Sequence, residues 1–340
     1  MVDLREQFIR QPFLMAPMAG VTDAAYRIMC RRRGAEMAYT EMVSVAGLAY
    51  DSAKTWVLVE PEPEEPQICV QLFGSKPEQF ARAVHDVQQR VGSKLTLIDI
   101  NMACPARKVI TKGEGSALMK NPELAAQIVD AACAEATVPV TVKIRAGFAA
   151  GERCAAAFAQ RMEQAGAAAV AVHGRTANQL YTGTADWSVI DEVARAVAVP
   201  VIGSGDVFSA ADAARMLRET AASAVFIARG TYGNPWVFED AHTIVQGGVP
   251  PCRSDIDRLE ALREHLGLLH ATQPFMARAR SFAGWYLKGM PHAAQWRGRA
   301  VRCESYEQFM ALLDEIEADL AAAAAQTDAE TVLDAVDHAR

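Results

Sequence analysis

The sequence predicts an α/β protein, a (β/α)8 TIM barrel followed by a smaller C-terminal α-helical domain. Between Pro12 and Gly247 the chain alternates short apolar, β-branched runs with helical stretches, a pattern typical of βα units around a parallel sheet. Eight such units within roughly 250 residues indicate a closed barrel rather than an open, doubly wound sheet. After Pro250 and Pro251 the strand-like runs cease, so a separate helical domain is expected from there.

The strand candidates are apolar or β-branched runs that end in polar residues or glycine. They lie at 13–17, 37–41, 68–73, 95–101, 140–145, 169–173, 199–203 and 224–229. Helical spacing or alanine-rich interiors predict the intervening helices at 77–91, 122–135, 152–164 and 210–218, with start signals at Ser75 and Ser209.

The C-terminal part reads as helices at 255–272, 277–288 and 305–325. We therefore expect a barrel domain over 1–247 and a helical domain over 248–325. The residues from 326 to 340 form an acidic tail that is expected to fray, although Val332, Leu333 and Val336 allow a final helical turn.

Composition and termini place the chain among ordinary globular proteins. Of its 340 residues, 51% are apolar and 22% are charged. Neither a membrane-spanning apolar run nor an N-terminal signal region is present in the sequence, so we expect a cytoplasmic protein. We also expect the protein to be a monomer. The seven cysteines are scattered and never form a C-x-x-C pair, which argues against disulfides, zinc or an iron-sulfur cluster. No bound metal is expected.

The negative charge behind the net charge of −7 is concentrated at the C-terminal end of the chain. Residues 304–340 hold ten acidic residues and one arginine, which leaves the rest of the chain at +2. Between Phe275 and Cys303 the chain carries six basic residues and no acidic one, interleaved with four aromatic residues. This mixture suits the binding of phosphates and unstacked bases, but a solvated helix with its aromatic side chains in the core fits it equally well. The candidate RNA-binding residues are Arg278, Arg280, Lys288, Arg297 and Arg299.

Polar residues and glycines gather where the predicted strands end, which is the rim on which barrel enzymes place their active sites. The turns 203–206 and 228–230 follow strands seven and eight, where barrels bind phosphate through backbone N–H groups. The sequence therefore predicts a phosphorylated cofactor. The absence of G-x-G-x-x-G and G-K-[ST] motifs disfavours a Rossmann site or a P-loop.

A cysteine and a lysine carry the chemistry at this rim. Cys104 comes directly after the fourth strand, which Pro105 terminates. Lys143 lies in the otherwise apolar fifth strand, and its burial is costly without an anionic or electron-rich partner. After the first strand, Ala16, Pro17 and Met18 offer small residues and a thioether against which a flat ring could lie, although a simple barrel turn would look the same.

These residues resemble the tRNA-dihydrouridine synthase family, and the match is close to its B-type members. The resemblance covers nearly the whole chain and rests on Ala16-Pro-Met-Ala-Gly-Val-Thr-Asp23, Asn101-Met-Ala-Cys-Pro105, Val142-Lys-Ile-Arg-Ala-Gly147, His173-Gly-Arg-Thr176, Trp236-Val-Phe238 and Trp285-Tyr-Leu-Lys-Gly289. It implies an FMN-containing barrel with a C-terminal helical domain. Such an enzyme reduces the C5–C6 double bond of a uridine in tRNA with NADPH.

The resemblance also implies roles for individual residues. Cys104 would protonate C5 while hydride from reduced FMN reaches C6, and a thiol with a reference pKa near ~8.5 keeps its proton at neutral pH. Asn101, Arg145 and Arg175 would hold the uracil base. The positions implied for FMN binding are Ala16, Pro17, Met18, Gln71, Lys143, His173, Ser204, Gly205, Asp206, Ala228 and Arg229.

Three positions depart from the family pattern: Ala103 and Ala228 stand where glycine is usual, and Ser204 stands where asparagine is usual. Ala103 could shift the cysteine loop if that position required a positive φ. The substrate base must also leave its stack to meet a flavin, and the helical domain would hold the tRNA meanwhile. B-type resemblance suggests a single site in the D-loop.

Two alternatives remain at this stage. The first is an FMN barrel that acts on a free pyrimidine, which would have no use for a basic helical appendage. The second is a tRNA-binding module that has lost its chemistry, suggested by the three departures near the cofactor site.

Overall fold

Eight parallel strands form the barrel in a computed structural model that describes residues 3–273 and 276–337. The strands are β1 (Phe13–Met15), β2 (Tyr39–Ser44), β3 (Ile68–Phe73), β4 (Leu95–Asn101), β5 (Val140–Arg145), β6 (Ala169–His173), β7 (Val201–Ser204) and β8 (Ala224–Ile227). Each strand pairs in parallel with its sequence neighbour, and β8 pairs with β1. A parallel bridge between Met15 and Ala38 joins β1 to the start of β2 and closes the ring.

Helices connect the strands around the barrel. They are α1 (Leu4–Arg10), α2 (Ala24–Arg31), α3 (Val45–Ala49), α4 (Ala53–Trp56), α5 (Pro77–Val91), α6 (Arg107–Ile110), α7 (Pro122–Glu135), α8 (Ala155–Gln164), α9 (Trp187–Ala196), α10 (Ala210–Glu219) and α11 (Val237–Val245). Because every strand is followed by helical chain before the next parallel strand, the predicted (β/α)8 barrel is confirmed.

Local signals fixed several boundaries. The predicted bounds of β3, β4, β5, β6, α5 and α7 match the structure. Ser209 caps α10 as predicted and forms a capping box with Asp212. The start signal at Ser75 was wrong, because the N-cap of α5 is Lys76 and its side chain makes no capping hydrogen bond. Strand β2 begins two residues later than predicted. Met37 and Ala38, which precede it, instead pair with Met15 of β1 and close the barrel.

Side chains at alternate strand positions point into the barrel, as the two-residue period of a strand requires. The interior near the amino ends of the strands is apolar. Helix α1, which precedes β1, contributes Leu4 and Phe8 to this cluster. Its strand members include Leu14, Tyr39, Cys69, Leu97, Ala171, Ile202 and Phe226. A packed lower interior leaves the carboxyl end of the barrel as the place for a site.

The chain divides into two compact units, with residues 1–231 and 236–250 in the barrel unit and 232–235 and 251–340 in the helical unit. The helices of the second unit are α12 (Asp255–Thr272), α13 (Ala279–Tyr286), α14 (Ala293–Ala300) and α15 (Tyr306–Asp337). Helix α15 continues past the predicted end at residue 325, so the tail that was expected to fray is helical up to Asp337. In the described part of the chain, no helix has the length and apolar character needed to cross a membrane.

The segment 232–235 is a part of the helical unit that the sequence did not reveal. Tyr232 stacks on Trp285, with ring centroids 3.8 Å apart and planes 5° from parallel. Gly233 has a φ of +67°, and a Cβ at this position would lie 2.6 Å from the carbonyl oxygen of Trp285. Only glycine therefore fits this close approach without strain.

Candidate active site

The inward-facing columns of the strands change from apolar to polar towards their carboxyl ends. In steps of two from the apolar cluster, they reach Gln71 on β3, Asp99 and Asn101 on β4, His173 on β6 and Ser204 on β7. On β5, Lys143 follows the buried Thr141 in the same way. All of these side chains are buried, with Lys143 at 9% exposure. The barrel thus brings together residues that are far apart in the sequence.

Cys104 lies half-buried on the loop after β4, and its backbone is held at both ends. Its N–H donates to Oδ1 of Asn101 at 2.9 Å. Its carbonyl oxygen accepts from the hydroxyl of Ser116 at 2.9 Å and from the N–H of Ser116 at 3.0 Å. Gly115 lies so close that a Cβ there would come within 2.8 Å of this carbonyl oxygen. The thiol therefore sits on a loop of fixed shape.

The departure at Ala103 does not distort this loop. Ala103 is not among the described residues with positive φ, so its methyl group meets no backbone penalty. Its N–H donates to Oδ1 of Asn101 at 3.2 Å, and its carbonyl oxygen accepts from Nε of Arg145 at 2.8 Å. The concern that glycine is needed at this position is therefore removed.

Lys143 is a buried cation next to Asp99 and Arg145. Within the described residues, its ammonium group makes no hydrogen bond or ion pair with the protein. The pKa of Lys143 is lowered from 10.5 to about 8, mainly by burial and in part by the nearby Arg145, while Asp99 opposes the shift. An ammonium group in this position suits an anionic or electron-rich ligand.

His173 faces the same space as a neutral donor. Burial is the main reason that its pKa lies well below the ordinary value, and the cations Lys143, Arg145, Arg175 and Arg229 add to the effect. Nδ1 of His173 accepts from the N–H of Arg175 at 3.2 Å, so the proton of the neutral ring is on Nε2. Four cations around one histidine give this end of the barrel a positive potential.

The turns after β7 and β8 supply backbone donors. Gly205 has a φ of +116°, and a Cβ there would lie 2.7 Å from Cβ of Ala185. Within the described residues, the N–H groups of Gly205, Asp206, Arg229 and Gly230 donate to no protein acceptor. Neighbouring free N–H groups at strand ends bind phosphate in barrels of this kind.

The side chain of Asp206 braces the turn rather than pointing at a ligand. Asp206 has a φ of +53° and accepts both Nη atoms of Arg175, at 2.8 and 2.7 Å. Arg229 approaches the same carboxylate at 3.4 Å. Arg175 is only 2% exposed and also donates to the carbonyl oxygens of Thr182 and Gly183. The geometry therefore gives Arg175 a supporting position in the rim.

The other two residues predicted to hold the base are also bonded within the protein. Arg145 donates from Nε to Ala103 and from Nη1 to the carbonyl oxygens of Thr176 and Leu180, at 2.8 and 3.1 Å. Asn101 donates from Nδ2 to Oε1 of Gln71 at 2.8 Å. Arg145 thus links the cysteine loop to the loop after β6 and keeps Nη2 for a further contact.

The remaining predicted cofactor positions line the same end of the barrel. Ala16 is buried in the apolar interior, and Pro17 and Met18 follow it with half-buried side chains. Ser204 is 3% exposed at the end of β7. Ala228 is half-buried, and its carbonyl oxygen accepts from Thr231. The methyl group of Ala228 packs against the apolar cluster, so it does not close the space beside the free N–H groups.

The residues at this end of the barrel fit a phosphorylated aromatic cofactor. The fit rests on an ammonium group without a protein partner, a neutral imidazole N–H donor and a set of free backbone donors at adjacent strand ends. Together they form a cationic pocket beside a thiol.

In the helical unit, the aromatic side chains of the basic segment face the core. Phe282, Tyr286 and Trp296 are each less than 10% exposed, and Trp285 is half-buried against Tyr232. Phe282, Tyr286 and Trp296 are therefore not available for base stacking, because these rings are packed in the core, and Trp285 uses one ring face against Tyr232. The interpretation as a solvated helix with core aromatics is the correct one for the three buried rings.

The cations of the same segment differ in how free they are. Lys288 and Arg297 are exposed, and Arg280 is exposed with Nε bonded to the carbonyl oxygen of Cys303. Arg278 is half-buried at the end of a short 3-10 turn. Arg299 makes a two-pronged ion pair with Glu315, with both distances 2.7 Å.

Asp99, Ser116 and Gly115 were not predicted as site residues, although all three support the cysteine loop directly or through other side chains. The available signal was a polar residue, Asp99, inside a fully buried apolar strand. Gly115 and Ser116 lie near Cys104 in space because the chain turns back after α6. That return could not be read from spacing.

The fold and the site define a (β/α)8-barrel enzyme with a thiol beside a cationic rim that carries free backbone N–H groups. The profile of the dihydrouridine synthase (Dus) family matches residues 14–325. The chain belongs to the dihydrouridine synthase family.

Individual relatives agree with this assignment. The tRNA-dihydrouridine synthase B of Xanthomonas axonopodis pv. citri is 41% identical over 303 residues, which cover 88% of this chain and 90% of the relative. The tRNA-dihydrouridine synthase B of Pseudomonas aeruginosa is 37% identical over 309 residues, covering 88% and 92%. The predicted resemblance to B-type members is thereby confirmed.

One solved structure agrees on the fold alone. The histamine dehydrogenase of Rhizobium sp. 4-9 superposes with a TM-score of 0.50 at 14% identity, over 76% of this chain and 49% of that chain.

Proposed function

We propose that this protein reduces a specific uridine in the D-loop of tRNA to 5,6-dihydrouridine with FMN and NADPH, and that it does so in the cytoplasm, where its tRNA substrate is found. The observation that carries the proposal is the position of Cys104, held on a rigid loop beside the cationic pocket. Membership of the dihydrouridine synthase family supports the same reaction.

The pocket residues divide the binding of FMN between ring and phosphate. Lys143, His173 and Gln71 would hold the ring, and the free N–H groups after β7 and β8 would hold the phosphate. When bound, FMN would supply the hydride that adds to C6 of the uracil ring. The apolar residues Ala16 to Met18 would support the ring and keep water from its face.

Cys104 would donate the proton that completes the reduction at C5. The hydride and this proton together saturate the C5–C6 bond, and solvent then returns a proton to the thiolate. Asn101 and Ser116 would keep the thiol in reach of C5 by fixing the loop backbone on both sides of it. Arg145 would offer its remaining Nη2 to a carbonyl oxygen of the base.

The helical unit would bind the tRNA by charge and shape. Because Phe282, Tyr286 and Trp296 are packed in the core, the proposed tRNA binding relies on phosphate contacts from Arg278, Arg280, Lys288 and Arg297. Arg299 is expected to contribute less, since Glu315 already neutralises it.

The test is to substitute Cys104→Ala and to measure dihydrouridine by mass spectrometry in tRNA from a strain that lacks its own enzyme. Loss of the proton donor should reduce product formation by about a hundredfold or more. FMN content, measured from visible absorbance, should not change. Cys133→Ala is the matched control, because it removes a half-buried thiol on helix α7, outside the barrel interior. This thiol donates to the carbonyl oxygen of Gly166.

Two outcomes would contradict the proposal. The first is purified protein without FMN together with unchanged dihydrouridine in the Cys104→Ala strain. The second is rapid NADPH-dependent reduction of free uracil or orotate without tRNA, which would favour an enzyme of free pyrimidines.

A further inference from the structure

Asp99 is a buried carboxylate in the interior of the barrel that the reaction described so far does not use. It is 1% exposed and lies in the middle of the inward column of β4. Its Oδ2 accepts from Nε2 of Gln71 at 2.7 Å, and its Oδ1 accepts from the hydroxyl of Thr141 at 2.6 Å. Since both carboxylate oxygens accept, Asp99 determines which end of the Gln71 amide faces it.

The orientation of Gln71 in turn determines that of Asn101. With Nε2 facing Asp99, Oε1 of Gln71 faces Asn101 and accepts from its Nδ2 at 2.8 Å. Oδ1 of Asn101 then points to the N–H groups of Cys104 and Ala103. We call the side chains of Asp99, Gln71 and Asn101 the amide relay.

Reversal of the relay would be costly at every step. A turned Gln71 amide would place Oε1 against the Asp99 carboxylate and Nε2 against the amino group of Asn101. If Asn101 turned as well, its amino group would meet the N–H of Cys104, and the loop would lose its acceptor. One buried carboxylate thus fixes the direction of three consecutive hydrogen bonds.

We propose that Asp99 is a positioning residue for Cys104: through Gln71 and Asn101 it fixes the backbone of the loop that carries the thiol. The inference rests on the proposed function, which gives Cys104 its role as proton donor. The facing charged group is Lys143 on the neighbouring strand, and the side chains of Tyr39 and Cys69 lie nearby. Burial raises the pKa of Asp99 to about 6.

The relay depends on an acceptor at position 99 and not on its charge. In Asp99→Asn, the side-chain oxygen can still accept from Gln71 while the amino group donates to Oγ1 of Thr141. Asp99→Val has a similar volume but offers no acceptor. Comparison of the two variants therefore shows whether the loop depends on an acceptor at position 99 or only on a side chain of this volume.

The first measurement is hydrogen–deuterium exchange of the purified holoenzyme at the backbone amides of Ala103 and Cys104. Asp99→Val should raise their exchange rate by about tenfold or more, because the Asn101 oxygen is no longer held in place. Asp99→Asn should stay within about twofold of the native protein. Thr96→Val is the matched control, since it removes a buried hydroxyl bonded to Gln67 at the other end of the same strand.

The second measurement is turnover of tRNA. Asp99→Val should lower kcat by about tenfold or more with the KM for tRNA nearly unchanged, since a misplaced thiol affects proton donation and not RNA binding. Asp99→Asn should retain most of the activity. FMN occupancy is measured on each variant from visible absorbance, so that loss of cofactor is recognised separately.

Either of two results would overturn the positioning role. One is unchanged exchange at Ala103 and Cys104 in Asp99→Val. The other is an equal rise in exchange over β6, which would indicate general opening of the barrel. If Asp99→Val does not fold, Gln71→Leu breaks the relay one step later and must give the same local loss of protection. Since exchange is independent of uridine reduction, a failure of the proposed function remains distinguishable.

Discussion

Replacement of Lys143 by methionine should stabilise the flavin-free protein while it weakens flavin binding. Methionine keeps the length of the side chain and removes its charge. In the flavin-free barrel the ammonium group is buried without a partner among the described residues, so it costs stability. The same group is what an anionic ligand would neutralise.

The size of the effect follows from the pKa. Burial lowers the pKa of Lys143 from 10.5 to about 8. Since one pKa unit corresponds to about 1.4 kcal/mol, the buried ammonium costs the flavin-free fold about 3 kcal/mol at neutral pH. Because the folded-state value is the lower one, this cost is complete below about pH 8 and disappears as the pH rises towards 10.5.

The assay is thermal unfolding of flavin-free protein by circular dichroism. At roughly 2 °C per kcal/mol for a unit of this size, Lys143→Met should raise the midpoint by about 6 °C at neutral pH. The difference should shrink as the pH approaches 10.5. Titration with FMN should show at least tenfold weaker binding, since a hydrogen bond to a charged group contributes about 1.5–3 kcal/mol.

The exposed Lys108 serves as the control, because Lys108→Met removes a solvated charge and should leave both measurements nearly unchanged. A flavin-free Lys143→Met protein no more stable than the native one, with no pH dependence of the difference, would refute the reasoning. Native FMN affinity in that variant would separately remove Lys143 from the cofactor site.

Three further substitutions test other parts of the structure. Gly205→Ala places a side chain at a φ of +116°, so it should destabilise the barrel by about 1–3 kcal/mol and weaken FMN binding. Unchanged stability and unchanged FMN affinity would argue against a phosphate-binding turn at this position. Arg297→Ala should weaken tRNA binding and lower its salt dependence by about one phosphate contact. Arg299→Ala should have a smaller effect on both, and filter binding at several salt concentrations compares the two variants. Gly233→Ala should lower the unfolding midpoint of the helical unit, followed by tryptophan fluorescence, whereas Gly284→Ala, where a Cβ meets nothing within 4 Å, should leave it unchanged or raise it.

The sequence by itself determined the barrel and most of its inward-facing site. The strands β3 to β6 are mainly apolar runs with polar residues in their second half, so their bounds and the positions of Gln71, Asn101, Lys143 and His173 follow from local pattern. A period of two places these residues in the inward columns once a barrel is assumed. Cys104 is recognisable because it follows a clear apolar strand and precedes a proline, although β4 already ends at Asn101.

Other features were decided by tertiary structure. The aromatic residues of the basic segment read equally well as base-stacking or as core residues, and packing of α13 and α14 placed Phe282, Tyr286 and Trp296 in the core. Arg175 reads as a substrate ligand until Asp206 is found 2.7 Å away, on a turn 31 residues further along the chain.

The amide relay shows the same limit in the site itself. Asp99 looks like any polar residue in a buried strand until β3 and β4 pair and bring Gln71 against it. Periodicity predicts which face of a strand a side chain occupies. The hydrogen-bond partners of that side chain depend on strand register and loop return, which only the folded chain sets.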